Sequence, residues 1–329
     1  MTLVKTEDAV GQVLCHDITQ IIPGAFKGAR FRKGHIVQSE DIPVLLSLGK
    51  EHLYIWEKKP GMLHEEEAAA VLAGLCRGPA IGAGKVREGK IELFADRDGL
   101  FKARSEALIA LNSLEGIIIA TLRGNRAVKQ GDILAGVKVV PLVIEEGVLQ
   151  KAQELSGGKP LLEVLPFIHK QAGLIVTGSE VYHKRITDGF TPVIREKLRN
   201  YGVELAETAI LSDDHREITK RCLEMIGRGC NLIICTGGMS VDPDDKTPLA
   251  IKNTGAAIVS YGAPVLPGGM LMAAYLRQED RRIPILGLPA CVMYSKQTVF
   301  DLILPRIMAG DEITRHSLAV LGEGGLLPA

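Results

Sequence analysis

The sequence predicts an α/β protein in which a carboxyl-terminal three-layer domain with a mostly parallel sheet follows a β-rich unit and an α+β module. From Gly173 onward, short apolar runs alternate with helix-length amphipathic segments, the pattern that builds a parallel sheet with helices on both faces. Hydrophobic residues make up 46% of the chain and aromatic ones only 4%, so Gly, Ala, Val, Ile and Leu must fill the interior, as in many α/β proteins. A chain of 329 residues is also long for a single core. The expected division is a unit over 1–60, a module over 61–158 and the α/β domain over 159–329.

In the first unit Val10 to Ile22 is strand-like and Pro23-Gly24 turns it. Ser39 caps a short helix that ends at Gly49, and His52 to Trp56 reads as a strand. Lys58-Lys59-Pro60-Gly61 reads as a linker. In the module, His64 to Arg77 is predicted as a helix: three glutamates complement the dipole at its start, alanines and leucines form its body, and Gly78-Pro79 stops it. Strands are expected between Ile81 and Phe101, over Gly116 to Leu122 and over Val137 to Ile144, with a helix over Ser105 to Leu111. Ser156-Gly157-Gly158-Lys159-Pro160 is the second linker.

Beyond it, Leu174 to Val176, Leu205 to Leu211, Leu232 to Cys235 and Ile283 to Leu286 read as strands, with further strand segments across Ala256 to Val265. Thr191-Pro192 opens a helix that closes at Gly202, and Asp213 or Asp214 caps the next, which runs to Arg228. Thr247-Pro248 reads as an N-cap and first helical position, opening a helix that ends at Gly255. The last helix is expected from Val292 to Met308.

Composition narrows the function. Basic and acidic residues balance at 39 each, and no basic run is interleaved with aromatics, so neither a nucleic-acid nor a membrane surface is expected. The start MTLVKTEDAV has acids by residue 7, and no apolar run approaches ~20 residues, so a cytoplasmic protein is the expectation. Six cysteines without a C-x-x-C pair, and eight histidines without H-x-x-x-H or H-E-x-x-H, argue against a zinc site and a disulfide framework.

The most informative stretch is Asn231 to Pro248, NLIICTGGMSVDPDDKTP. A buried strand breaks at Thr236-Gly237-Gly238, where the backbone can take positive φ and come close to a ligand. Ser240 and the acids Asp242, Asp244 and Asp245 follow, and then a helix starts. Such a loop lies on the carboxyl edge of a sheet, where open α/β sheets bind ligands. Thr236 to Met239 can point N–H groups at phosphate oxygens, although an ordinary tight turn has the same residues. The acids can hold Mg²⁺ through one or two carboxylates with phosphate completing the shell; for Asp242 and Asp244 a solvated loop is the plainer reading. Asp214 suits a cap as well as a catalytic acid, and Glu180 a solvated position as well as a site. Pro267-Gly268-Gly269 is a second close-approach loop. Gly82-Ala83-Gly84 is not a dinucleotide fingerprint, since Arg87 stands where the third glycine belongs.

TGGMSVDPDDKTP resembles the signature loop of the molybdopterin-binding family of molybdenum cofactor biosynthesis, the domain shared by MoeA, MogA and gephyrin and, more distantly, CinA. Ser240 with Asp245 five residues on matches the MoeA spacing, and Asp245 before Thr247-Pro248 matches the MogA ending. Thr177-Gly178-Ser179-Glu180 is similar to the family's G-D-E-L turn, and Gly287-Leu288-Pro289 to its G-L-P. The resemblance runs from about Gly173 to Gly310, with a weaker likeness of Lys27 to Trp56 to the segment that precedes the domain in MoeA. Ser179 replaces the family's Asp, Asp242 its Gly, Gly269 the Lys of P-G-K-P, and Ala290-Cys291 its Gly-Asn. The lost lysine is a cation that could neutralise phosphate or molybdate.

The resemblance implies a MogA-like domain that binds molybdopterin or the molybdenum cofactor, in cofactor biosynthesis or handling. It implies Thr236, Gly237, Gly238, Ser240, Gly268, Gly269, Gly287 and Pro289 as binding residues, Asp245, Glu180 and Asp214 as catalytic candidates, and Asp245 with Asp242 at Mg²⁺. Two alternatives stay open: Mg²⁺-dependent transfer of adenylyl from ATP, or of molybdate, to molybdopterin, and a non-catalytic carrier or sensor that contacts a molybdoenzyme. The implied partners are a pterin or nucleotide, and a homo-oligomer is compatible with the same reading.

Overall fold

The computed structural model describes residues 2–55, 60–169, 171–240, 242 and 245–327. The expected linker residues Lys58 and Lys59, the strand end at Trp56 and the acid Asp244 lie outside them. The chain divides into two compact units. One holds residues 1–96, 103–124 and 130–163, and the other holds 97–102, 125–129 and 164–329.

In the first unit the strand expected over Val10 to Ile22 is confined to Ile18–Ile22, which pairs antiparallel with Phe26–Phe31. The helix after His64 forms over Glu65–Cys76, and His64 itself is the N-cap in a capping box with Glu67. The single strand expected over Val137 to Ile144 is two, Ile133–Val139 and Val143–Glu145. Pro141 lies between them and has no N–H for a ladder. The helix over Ser105–Asn112 and the strand Ile117–Thr121 form close to their expected bounds.

The second unit is built on one six-stranded sheet. Its elements in chain order are β1 Gln171–Thr177, α1 Ser179–Tyr182, α2 Phe190–Arg199, β2 Glu204–Leu211, α3 His215–Gly227 and β3 Leu232–Thr236. Then come α4 Thr247–Asn253, β4 Ala257–Tyr261, β5 Met272–Gln278, β6 Arg281–Leu288, α5 Val299–Met308 and α6 Arg315–Ala319. The strand order is β2-β1-β3-β6-β5-β4. The first four strands run parallel, and β5 and β4 are added antiparallel. This is the mostly parallel α/β sheet that the alternation predicts. The sequence reading named no strand at Met272–Gln278, and the strand expected across Ala256 to Val265 stops at Tyr261.

The period-2 alternation of strand side chains makes the three layers. Leu174, Val176, Ile234 and Leu286 face α2 and α5, packing on Ile194, Leu198, Phe300 and Leu304. Their neighbours Ile175, Ile233, Cys235 and Ile285 face the other way, onto Ile218, Cys222 and Met225 of α3 and Ala250 and Ile251 of α4. The helix expected from Val292 to Met308 is interrupted. Ala290–Met293 is a 3₁₀ turn, and α5 starts at Val299 because Thr298 and Asp301 form a capping box there.

Two upstream segments join this unit. Gly99–Ala103 and Arg126–Val128 pair antiparallel, in a three-stranded sheet with Leu162–Leu165. Lys102 reaches Asp311 at 2.8 Å, and Arg306 holds the same carboxylate.

Candidate functional site

Register brings the carboxyl ends of the parallel strands into one row. Thr177 lies opposite Leu211, Val176 opposite Thr236, and Thr236 opposite Leu288. The antiparallel addition brings a fifth loop to the same edge, because Tyr261 at the end of β4 pairs with Met272, which pairs with Gly287 near the end of β6. Residues 262–271, with Pro267-Gly268-Gly269, therefore connect β4 to β5 there. The loops after β1, β2, β3, β4 and β6 share one edge.

The glycine loop is held from below. Gly237 and Gly238 have φ of 85° and 53°, in the left-handed region. A Cβ on Gly237 would stand 2.0 Å from the Thr177 carbonyl oxygen, and one on Gly238 would stand 3.1 Å from Thr247 Oγ1. Gly237 is thus required for close packing of the β3 loop on the β1 loop. The Thr177 and Thr247 hydroxyls meet at 3.3 Å in a buried pair. Thr247 is therefore not the N-cap that its place before Pro248 suggested. Lys246 takes the cap position, and the Thr247 hydroxyl ties the helix start to β1.

Gly287 has a packing role too. A Cβ there would stand 2.5 Å from Met239 Cε, so the glycine leaves room for Met239 to plug into the sheet and anchor the end of the loop. Thr236 is fully buried, Pro289 is buried at the start of the 3₁₀ turn, and Ser240 is exposed. Tyr261 donates its hydroxyl to the carbonyls of Met239 and Ser240, at 3.0 Å each. Burial, with the negative charge of Asp245, pushes this phenol above its usual range.

The acids serve the loops that carry them. Asp245 accepts from the Asp242 backbone N–H at 3.2 Å, and the Asp245 N–H donates to the Asp242 carbonyl at 3.0 Å. Asp214 caps α3 by accepting from Arg216 N at 2.8 Å. Asp213, which the sequence offered only as an alternative cap, instead crosses to the β1 loop and accepts from Ser179 N at 3.0 Å. Glu180 is exposed in α1 and folds its carboxylate over Gly178, where a Cβ would stand 2.9 Å from Oε1. Among the described residues no group of three or more His, Cys, Asp or Glu side chains is placed to hold a metal ion.

What the edge offers a ligand is backbone. Among the described residues the N–H groups of Gly238, Met239 and Ser240 donate to no backbone carbonyl, while that of Gly237 faces Leu288 at the end of the β3–β6 ladder. Successive N–H groups in a left-handed turn form a concave anion-binding nest. Sequence reasoning found the glycines but not the cross-loop roles of Thr177, Asp213, Thr247 and Tyr261, which fix them. Thr177 and Asp213 stand in motifs that it quoted, yet nothing local shows that their side chains reach another loop.

Comparison with known proteins matches this part of the chain. The family described as "Probable molybdopterin binding domain" covers residues 173–309. This segment is a domain of the molybdopterin-binding family. A second family, described as "Domain of unknown function (DUF8806)", covers residues 3–57. A CinA-like protein of Mycobacterium avium (strain 104) is 35% identical over 80 residues, 24% of this chain and 18% of the relative. One of Mycobacterium sp. (strain JLS) is 38% identical over 77 residues, 23% of this chain and 18% of the relative. The match thus spans less than a fifth of these relatives' length. Among solved structures, the tungsten cofactor synthesizing protein MoaB of Pyrococcus furiosus is similar over 44% of this chain and 98% of its own, with 18% identity and a TM-score of 0.36. CinA of Thermoplasma acidophilum covers 42% and 98%, with 14% identity and a TM-score of 0.34. The family match covers residues 173–309, which leaves the amino-terminal half unmatched by it. No helix among the described residues is long and apolar enough to cross a membrane.

Proposed function

We propose that the carboxyl edge of the six-stranded sheet binds molybdopterin or the molybdenum cofactor through its phosphate, in the biosynthesis or handling of that cofactor. The observation that carries this reading is the loop Gly237 to Ser240. The N–H groups of Gly238, Met239 and Ser240 have no carbonyl partner among the described residues, and the Thr177–Thr247 pair, Met239 and Tyr261 fix the loop's shape. Pre-positioned donors of this kind favour an anion without reorganisation when it arrives. A phosphorylated pterin suits the edge, and membership of residues 173–309 in the molybdopterin-binding family supports that choice.

Binding is the better-supported activity, ahead of group transfer. Asp245, Asp213 and Asp214 are each engaged with a backbone N–H of the edge loops, so their first role is to shape the edge. The N-terminal half then serves a carrier or sensor as the part that meets a protein partner. Two measurements test this. Titration calorimetry with a phosphorylated pterin should give saturable binding that Gly238→Ala weakens, because its Cβ enters the space above Thr247 Oγ1. Incubation of the pterin with ATP and Mg²⁺ should give no adenylylated product. Rapid turnover would overturn the binder reading, and the absence of any binding would overturn the site.

A further inference from the structure

At the opposite, amino edge of the same sheet lies a small enclosed cavity of about 70 Å³. His169, Tyr275, Ile307, Arg282, Asp311 and Glu312 are among its lining residues. His169 is 7% exposed, and its Nδ1 has no hydrogen-bond partner among the described residues. Asn231 lies beside the ring and favours its charged form, against the burial that disfavours it. The backbone N–H of Asn231 donates to the Gln171 carbonyl, and Asn231 Oδ1 accepts from Gln171 N. Nδ1 therefore needs a neighbour able to donate to it or accept from it, according to the tautomer. Tyr275 needs an acceptor. Its oxygen accepts from Ile313 N at 2.9 Å, which leaves the hydroxyl proton to donate elsewhere.

The walls select among small ligands. The charged walls are already paired, Arg282 with Glu312, and Asp311 with Lys102 and Arg306. An anion such as formate or a cation such as ammonium would compete with these pairs. A neutral molecule that both donates and accepts leaves them intact and serves Nδ1 and the Tyr275 hydroxyl. The volume exceeds the ~10–15 Å³ that one water needs and is below that of cavities which take organic ligands of about 150 Å³.

We infer that this cavity is a binding site for structural water, with one molecule hydrogen-bonded to His169 Nδ1 and accepting from the Tyr275 hydroxyl. Such a water links the chain entering β1 to β5 and to the segment after α5 that carries Asp311 and Glu312. Buried waters of this kind make about three bonds to polar groups that would otherwise be unpaired.

A crystal structure of the full chain showing ordered solvent tests the inference. A single-atom density peak within about 3.2 Å of both His169 Nδ1 and Tyr275 Oη is expected. Crystals soaked in formate or in ammonium should show the same peak, unchanged in shape. Density that becomes triatomic in formate, or a peak that gains occupancy only in ammonium, would overturn the water assignment. A peak absent from well-ordered surroundings would overturn the site itself. In solution, the Nδ1 resonance of ¹⁵N-labelled His169 should sit upfield of a free acceptor nitrogen; a free-imidazole position would also overturn the proposal. This measurement needs no variant, so it stands even if His169→Leu fails to fold. If that variant folds, the peak should be lost.

Discussion

Two adjacent glycines in the loop between β4 and β5 should respond oppositely to a side chain, and the difference can be worked from geometry. Gly268 has φ of 128°, and a Cβ there would stand 2.5 Å from Val299 Cγ1 and 2.9 Å from Val299 N. Gly268→Ala combines backbone strain of about 1–3 kcal/mol with overpacking of about 1–3 kcal/mol, so a loss of roughly 2–6 kcal/mol is expected. Gly269 lies outside the left-handed region, and a Cβ there meets only Leu266 Cδ2 at 3.5 Å and the Ala263 carbonyl at 3.9 Å, both ordinary contacts. Gly269→Lys should therefore change stability by less than about 1 kcal/mol, and reduced freedom of the unfolded chain favours the variant by part of that amount. The lysine also places a cation on the edge where the proposed phosphate sits. A unit charge about 4 Å away in water contributes about 1 kcal/mol, or about fivefold in Kd, and the gain should shrink as salt rises. Denaturant unfolding gives the first quantity, and titration with a phosphorylated pterin at low and high salt gives the second. If Gly269→Lys unfolds as readily as Gly268→Ala, the loop geometry is wrong. If it folds well yet leaves affinity unchanged at low salt, the loop does not face the ligand.

Asp245→Asn should lower the Tyr261 phenol titration seen by ultraviolet absorbance, since the Asp245 charge is one of the two causes that raise it; an unmoved transition would separate the two residues. It should also weaken pterin binding more than Asp242→Asn does, because among the described residues Asp242 meets Asp245 through its backbone, whereas Asp245 uses its carboxylate. A fragment beginning at Pro160 lacks the strands Gly99–Ala103 and Arg126–Val128 and the Lys102–Asp311 pair, so its thermal transition should fall below that of the same unit in the full chain, and an unchanged midpoint would count against this assignment of the upstream segments. Burial holds the His169 imidazole below its ordinary value, opposed by its bonds to Asn231. The unfolded chain therefore binds the proton first. The stability from keeping this ring neutral is present above about pH 6.5 and is lost as pH falls through the lower folded value. Unfolding free energies measured between pH 8 and pH 5 should decline, and less steeply in His169→Leu, where His16, also lowered by burial, remains.

Local chemistry alone settles much of this protein. The helix at Glu65–Cys76 follows from its acidic start and Gly-Pro stop, and the four parallel strands follow from short branched apolar runs, because each of these signals acts within a few residues. The loop at Thr236 to Ser240 is legible for the same reason: paired glycines after a buried strand permit few other structures. Contacts between distant residues were beyond that reach. β5 has no polar alternation to mark it, since Met272, Ala273 and Ala274 are buried on both faces by neighbours that only the sheet supplies. Thr247 has the sequence context of a cap, but a buried hydroxyl needs a partner, and the pairing with Thr177, seventy residues away, decides its role. Gly287 and Gly237 are both glycines of the quoted motifs, yet each is required by an atom of another loop or side chain, Met239 Cε in one case and the Thr177 carbonyl in the other. Residue types and turn positions are thus written locally, whereas which loop a carboxylate or hydroxyl serves is decided only when the parallel register brings the strand ends side by side.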